Sequence, residues 1–188
     1  MLTLDARKNA LRADVRKRLP RPGSPEHVSA SVAAQERLAS AALCARAQVV
    51  GLYRALPSEC GTASLAAALE ALGKELCYPV IRPARELIFR RSAGVFVGGA
   101  LGIEEPTGAE VPLARIELLV VPALAVDERG RRLGRGKGHY DATLAAFSGV
   151  SVALVFEAQL VSEVPTGEHD RPVSAVCTEA RLILPGAE

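Results

Sequence analysis

Short apolar runs alternate with helix-like segments along the middle of the chain, and this alternation limits the fold more than any other feature. The run from Gln48 to Leu56 is apolar and begins with paired valines, which is typical of a strand buried on both faces. Thr62 opens a helix that Gly73 ends, and residues 75–81 form another apolar run. Such alternation predicts an α/β fold with a largely parallel sheet, in which ligands bind beyond the carboxyl ends of the strands.

Further segments extend the same pattern. Helices are predicted for residues 5–19 and for residues 25–46, the second beginning at Pro25 after a Ser24 cap. The strongest strand signal is ELLVVPALAV, residues 117–126, and a helix at 138–146 follows it. Other strands are predicted within residues 87–97, at 151–156, and around 175–176 and 181–184, whereas the glycine- and proline-rich segment 98–112 predicts a loop. We expect one three-layer, Rossmann-like domain, residues 1–188, with a mostly parallel central sheet.

Length, charge and cysteine usage exclude several classes of protein. A chain of 188 residues fits one domain, and 23 basic against 21 acidic residues with 4% aromatics give no indication of a nucleic-acid or membrane partner. No apolar stretch reaches the roughly 18 residues of a membrane-spanning helix, and the first residues lack the apolar core of a secretory signal. Cys44, Cys60, Cys77 and Cys177 are scattered, without the spacing of a metal site. We expect a cytoplasmic protein with reduced cysteines and, by default, a monomer.

The densest functional signal is a basic, glycine-rich loop, DERGRRLGRGKGHYD, at residues 127–141. Gly134, Gly136 and Gly138 alternate with Arg135 and Lys137 between the strongest predicted strand and a helix. Glycines let the backbone N–H groups approach a ligand, and the helix N-terminus and the basic side chains add positive charge, so the loop suits a polyphosphate. It matches neither the Walker A pattern nor G-x-G-x-x-G, and a plain glycine-rich turn is the alternative interpretation.

Blocks of sequence along nearly the whole chain carry a specific signature. RLGRGKGHYD follows VPALAVD, Lys8 and Arg12 form a K-x-x-x-R pair, and LYRALPSECGT, LGIEEP and FEAQLVSEVPTGEHD are three further blocks. Together they resemble the 5-formyltetrahydrofolate cyclo-ligases, or 5,10-methenyltetrahydrofolate synthetases; His139 departs from the aromatic residue of many relatives. The resemblance implies the same α/β layering and a cytoplasmic ligase that uses ATP and Mg²⁺ to convert 5-formyltetrahydrofolate into 5,10-methenyltetrahydrofolate, ADP and phosphate.

The resemblance also implies an ATP site. Lys8 and Arg12 lie four residues apart, on one face of the first helix, and would reach the ATP phosphates; without the resemblance, a solvated basic face is the simpler interpretation. Arg135 and Lys137 would balance the triphosphate during catalysis, and Tyr140 would pack near the reacting groups. The remaining implied ATP-binding residues are Arg132, Leu133, Gly134, Gly136, Gly138 and His139.

The implied substrate is 5-formyltetrahydrofolate, with or without a polyglutamate tail. Glu59 would contact the pterin, because a carboxylate accepts two charge-assisted N–H bonds from an amino-pyrimidine edge. Without the resemblance, Glu59 is an exposed loop residue. Tyr53, Gly136 and His139 complete the implied substrate-binding set.

Asp141 and Asp170 are the implied Mg²⁺ ligands, since hard oxygen ligands suit this ion. Asp141 could instead cap a helix. Asp127 is a further metal candidate, but a turn aspartate before E-R-G is the favoured interpretation, and His169 in EHD is expected on a surface turn.

The implied chemistry needs no protein nucleophile. The formyl oxygen attacks the γ-phosphorus of ATP, N10 closes on the activated carbon, and phosphate departs. Two alternatives stay open on the residues alone: a nucleotide-binding paralogue that acts on a different substrate, and a folate-binding protein that consumes no ATP.

Overall fold

An eight-stranded sheet forms the centre of the computed structural model, which describes residues 2–82, 86–99 and 102–186. The strands of the described chain are β1 Val49–Gly51, β2 Glu75–Val80, β3 Ile88–Arg91, β4 Phe96–Gly98, β5 Glu104–Pro106, β6 Glu110–Val111, β7 Leu118–Val121, β8 Ala125–Asp127, β9 Arg132–Leu133, β10 Val150–Leu154, β11 Leu160–Val161, β12 Ala175–Cys177 and β13 Leu182–Ile183. The large sheet has the order β13-β12-β10-β7-β1-β2-β3-β6.

The middle of this sheet is parallel. Strands β12, β10, β7, β1 and β2 all run the same way, and β13, β3 and β6 add antiparallel edges. Strands β11, β8 and β9 pair in a separate three-stranded sheet, and β4 and β5 pair as a separate hairpin. The predicted α/β domain with a mostly parallel sheet is therefore confirmed.

Five α-helices occur in the described residues: α1 Leu4–Arg18, α2 Pro25–Ala39, α3 Ala42–Arg46, α4 Ala63–Ala71 and α5 His139–Ala146. The predicted Ser24 cap is present, because Ser24 Oγ accepts a hydrogen bond from the His27 N–H. Thr3 caps α1 in the same way through Ala6. No helix in the described part of the chain has the length and apolarity to cross a membrane.

Side chains of the central strands alternate between two apolar layers. In β7, Leu118 and Val120 pack in one cluster with Leu38 of α2, and Leu119 belongs to a second cluster with Leu144 of α5. This alternation follows from the two-residue period of a strand, and both faces of the sheet are therefore covered. The helices and the sheet give the predicted three layers.

Two predicted elements are wrong in their extent. The helix at 25–46 is divided, because Ser40 Oγ donates back to the Glu36 carbonyl at the end of α2 and Ala41 is extended. The strand at 117–126 is divided at Pro122, which has no N–H for the ladder, so β7 and β8 lie in different sheets.

Strand lengths around the loops also differ from the predictions. Only Val49–Gly51 of the predicted strand 48–56 is extended in the sheet, and the rest continues as a loop. The predicted loop at 98–112 contains β5 and β6, which are short edge strands in which glycine and proline are tolerated. The short strands β9 and β11 had no sequence signal of their own.

Two glycines with similar backbone angles provide a test of packing beside β9. Gly130 and Gly73 have φ of +77° and +73°, but an added Cβ would lie 2.3 Å from the Val173 carbonyl oxygen at Gly130 and would meet nothing within 4 Å at Gly73. We expect Gly73→Ala to lower the free energy of unfolding by roughly 1 kcal/mol from backbone strain alone. Gly130→Ala should cost about 1–3 kcal/mol more, because backbone must move. Urea unfolding measures both; equal losses would show that the Val173 contact is unimportant.

Candidate active site

A cavity of about 540 Å³ opens beyond the carboxyl ends of β1, β2 and β7, where parallel sheets place ligands. Its volume falls within the range of small-molecule sites. Every residue assigned to a site from the sequence lines this cavity: Lys8, Arg12, Tyr53, Glu59, Arg132, Leu133, Gly134, Arg135, Gly136, Lys137, Gly138, His139, Tyr140, Asp141 and Asp170. The structure thus brings them together, while their individual roles stay predictions.

The cavity also has an apolar wall that the sequence had not indicated. Its residues lie at or just after strand ends or in the β4-β5 hairpin, and include Leu56, Pro79, Ile81, Ile103 and Leu124. Isolated apolar side chains carry no chemical motif, so only their position after predicted strands could have suggested them. Arg54 also lines the cavity, with its guanidinium 4.5 Å from the centre of the Phe96 ring.

Basic side chains bind helix α1 to the glycine loop and to Asp170. Lys8 Nζ lies 2.5 Å from Asp170 Oδ2, and Arg12 Nε donates to the Gly134 carbonyl at 3.0 Å. Val15 is fully buried and anchors the helix to β8 and β9 through Ala125 and Leu133. Lys8 and Arg12 therefore face the cavity and are not a solvated surface pair.

The glycine loop presents its charges to the open side of the cavity. Arg135 and Lys137 are exposed, and Gly136 and Gly138 have φ of +103° and +76°, which glycine adopts without strain. Gly138 is the N-cap of α5 and contributes no side-chain cap. No side-chain cap therefore occupies the start of α5, where the partial positive charge of a helix N-terminus suits an anion.

Arg132 is the buried cation of the site. It is 3% exposed, and its Nη2 donates to Asp141 Oδ1 at 2.6 Å. Burial lowers the pKa of Arg132, and the charge of Asp141 opposes this effect. Arg132 Nε is buried and has no hydrogen-bond partner among the described residues. Asp141 thus neutralises a guanidinium and does not act as a helix cap.

Arg135 joins the glycine loop to the loop after β1. Its Nε donates to Glu59 Oε1 at 2.9 Å and its Nη2 to Ser58 Oγ at 2.9 Å. Glu59 Oε2 accepts a hydrogen bond from the Leu56 N–H at 2.9 Å. The carboxylate assigned to the pterin and a cation assigned to ATP are therefore direct neighbours.

The two tyrosines differ in what they can offer a ligand. Tyr53 OH donates to the Cys60 carbonyl at 2.6 Å and lies 3.3 Å from the Leu154 carbonyl, so its polar end is used within the protein. Tyr140 lies at the start of α5, and burial followed by the charge of Glu59 raises its pKa, so its hydroxyl stays neutral. Tyr53 therefore supports the loop, and Tyr140 can face reacting groups.

Asp127 and His169 were the two uncertain residues. Both Asp127 oxygens accept bonds from the turn and its surroundings, including the Arg131 guanidinium at 2.7 Å and the Val164 N–H at 2.9 Å. Asp127 is thus a turn aspartate. His169 is exposed, as expected of a surface turn, but it also lines the cavity. His139 also lines the cavity, and its carbonyl accepts a hydrogen bond from Thr143 Oγ1.

The sequence is similar to one family over almost its full length. The model of the 5-formyltetrahydrofolate cyclo-ligase family matches residues 5–179. A protein named 5-formyltetrahydrofolate cyclo-ligase from Mycolicibacterium smegmatis is 34% identical over 148 residues, which cover 73% of this chain and 76% of that one. A protein of the same name from Escherichia coli K12 is 33% identical over 146 residues, with coverage of 72% and 80%.

Solved structures give the same similarity. The 5,10-methenyltetrahydrofolate synthetase of Aquifex aeolicus superimposes with a TM-score of 0.82 at 29% identity, covering 96% of this chain and 94% of that one. A synthetase from Mycoplasma pneumoniae has a TM-score of 0.74 at 18% identity, over 92% of this chain and 98% of that one, and supports the fold alone.

The pair of Arg132 and Asp141 gives a stability prediction. Asp141→Asn removes the counter-charge of a buried guanidinium, and we expect the free energy of unfolding to fall by about 3 kcal/mol. The matched control is Asp14→Asn, because Asp14 pairs with Arg18 on the surface, where their side chains are 63% and 42% exposed. The control should change stability by no more than about 0.5 kcal/mol. Similar losses in both variants, measured by urea unfolding, would contradict this account of Arg132.

Proposed function

Because the chain belongs to the 5-formyltetrahydrofolate cyclo-ligase family, we propose that it uses ATP and Mg²⁺ to convert 5-formyltetrahydrofolate into 5,10-methenyltetrahydrofolate, with release of ADP and phosphate. One observation carries this proposal: the basic glycine loop meets Glu59 through Arg135 within a single cavity. A polyphosphate site and a carboxylate suited to a pterin therefore adjoin each other, as phosphoryl transfer to a folate requires.

The basic side chains of the cavity suit a triphosphate. Lys8, Arg12, Arg132, Arg135 and Lys137 all line it. Arg132 Nε is a buried donor without a partner among the described residues, and a phosphate oxygen would satisfy it. The N–H groups of the glycine loop and the start of α5 add donors for the same anion.

Asp141 and Asp170 would hold Mg²⁺ beside the phosphates. Asp141 uses Oδ1 for Arg132, and Asp170 uses Oδ2 for Lys8 and the Gly167 N–H. The described residues contain no group of three or more His, Cys, Asp or Glu side chains that could hold a metal. Mg²⁺ commonly takes only one or two carboxylates and completes its shell with phosphate and water oxygens, so this donor set fits the ion. When bound, the ion would offset phosphate charge.

Glu59 and the apolar wall would hold the folate. The carboxylate can accept the N–H groups of the pterin edge, since each of its oxygens has capacity for a second hydrogen bond. Leu56, Ile81 and Ile103 lie in the same cavity and would pack against the flat rings.

The residues would act by positioning the two substrates and by stabilising the charge that develops during phosphoryl transfer. The formyl oxygen attacks the γ-phosphorus, N10 then closes on the activated carbon, and phosphate leaves with the former formyl oxygen. Arg135 and Lys137 would neutralise charge on the phosphoryl group in transfer, and neutral Tyr140 would pack near the reacting groups. The cysteines are excluded as nucleophiles, because burial raises the pKa of Cys44 to about 11 and those of Cys60, Cys77 and Cys177 to about 12.

Several expectations from the sequence belong to this proposal. The protein would act as one domain over residues 1–188, as a cytoplasmic monomer, on folate with or without a polyglutamate tail. The four cysteines are buried free thiols.

The activity is tested directly by absorbance. Purified protein mixed with 5-formyltetrahydrofolate, ATP and Mg²⁺ should produce the near-ultraviolet absorbance of the methenyl product, and omission of any one component should abolish the increase. ADP should accumulate in equal amount. If ATP binds but no absorbance develops, the chain is a nucleotide-binding paralogue with another substrate.

Lys137 tests the assignment of the glycine loop. Its side chain is exposed, so Lys137→Ala should fold normally while kcat/KM falls by about 10²-fold or more, because a charge that stabilises the transferring phosphoryl group is lost. The matched control is Lys17→Ala, an exposed lysine of α1 outside the cavity, which should keep normal turnover. Normal turnover of Lys137→Ala would rule out the assigned role.

A further inference from the structure

A buried polar cluster connects α2 to the start of α4, outside the cavity. Gln35 of α2 is 3% exposed, and its Oε1 accepts hydrogen bonds from the Ser64 and Leu65 N–H groups at 2.9 and 3.1 Å. Its Nε2 donates to the Ser31 carbonyl at 3.0 Å and to Ser31 Oγ at 3.1 Å. All the hydrogen-bonding capacity of this amide is therefore used.

Gln35 replaces the N-cap that α4 lacks. Thr62 occupies the N-cap position but makes no cap hydrogen bond, and its Oγ1 instead donates to the Tyr53 carbonyl at 2.8 Å. The first N–H groups of a helix have no partner within it, and those of Ser64 and Leu65 depend on the Gln35 oxygen. The start of α4 is thus fixed by a side chain from another helix.

Ser31 extends this contact to the chain just before α4. Ser31 Oγ accepts a hydrogen bond from the Gly61 N–H at 2.8 Å. A Cβ at Gly61 would lie 3.0 Å from Ser31 Oγ and 3.4 Å from Gln35 Nε2, so a larger residue would crowd the contact. Gly61 is two residues from Glu59, and the backbone position of Glu59 is therefore limited from the α2 side.

Hydrogen bonds also link the two ends of this loop, which runs from β1 to α4. Tyr53 OH donates to the Cys60 carbonyl, and Thr62 Oγ1 donates to the Tyr53 carbonyl. These two bonds tie the beginning of the loop to its end, while Ser31 and Gln35 tie its end to α2. The carboxylate of Glu59 lies between them, oriented by the Leu56 N–H.

We infer that Gln35, acting with Ser31, is a positioning residue that fixes Glu59 for the folate, although it lines no part of the cavity. This inference rests on the proposed function. Arg135 of the glycine loop pairs with Glu59, but α1 and the rest of the glycine loop supply the other proposed ATP contacts from separate segments, so the effect of Gln35 should fall mainly on the folate side. Loss of the cap frees the start of α4 and, with it, residues 59–62.

The test compares two substitutions of Gln35 by steady-state kinetics. Gln35→Leu removes the cap, and KM for 5-formyltetrahydrofolate should rise about tenfold while KM for ATP stays within about twofold. Gln35→Glu keeps an oxygen acceptor for the Ser64 and Leu65 N–H groups, where negative charge at a helix N-terminus is favourable, but it loses the Nε2 donor to Ser31. KM for the folate should therefore rise less in Gln35→Glu than in Gln35→Leu. An equal rise of both KM values in Gln35→Leu would overturn the inference.

The control is Leu38→Ala, another buried position of α2, whose apolar side chain packs in the core and can give no hydrogen bond to the start of α4. Both variants are assayed well below their unfolding temperatures. A selective rise of KM for the folate in Gln35→Leu but not in Leu38→Ala supports the positioning role of Gln35. The same selective rise in both variants would mean that loss of packing in α2 is enough to cause it, and would overturn the inference.

Hydrogen exchange separates this inference from the proposed function. Gln35→Leu should speed amide exchange in residues 59–66, and Gln35→Glu should speed it less, whether or not the protein has cyclo-ligase activity. Unchanged exchange in Gln35→Leu overturns the positioning role. An inactive parent protein with the expected exchange pattern refutes the proposed function while the Gln35 clamp on the Glu59 loop stands.

Discussion

The parallel pairing of β1 with β7 is the constraint on which the site depends. Val50 and Gly51 are in register with Leu118 and Leu119, so both strands end at the same edge of the sheet. The loop after β1 carries Glu59, and the chain after β7 leads through β8 into the glycine loop. Two segments far apart in sequence therefore meet over one cavity, and the pterin and phosphate chemistries can share a single site.

Charge pairing is the second constraint, because cations that line a cavity repel one another and lose hydration. Three basic side chains each have a carboxylate partner at 2.9 Å or less: Lys8 with Asp170, Arg132 with Asp141, and Arg135 with Glu59. These pairs hold the cations in place before a ligand binds, which lowers the ordering cost of binding. A triphosphate carries enough charge to compete for the cations, so the arrangement is both neutralised and ready for an anion.

The fold was largely predictable because apolar runs and caps are local signals. The parallel core, the Ser24 cap and the helix after Thr62 all follow from short-range patterns. The predictions that were wrong also rested on local patterns, but those patterns had more than one interpretation. Pro122 sits within a continuous apolar run, and only the tertiary structure decides that the chain leaves one sheet for another there. Strands β5 and β6 are short edge strands, and the glycine and proline residues around them predicted a loop instead.

The site residues were predictable as a set but their partners were not. Spacing and resemblance selected residues that converge on one cavity, yet Arg135 and Glu59 are 76 positions apart and no pattern links them. Gln35 shows the limit most clearly, since a glutamine among alanines in a helix is typical of a solvated face. Only the packing of α2 against α4 turns that side chain inward. A polar group buried in this way needs every hydrogen bond satisfied, and the partners that satisfy it lie in α2 itself and at the start of α4, just after the loop that carries Glu59.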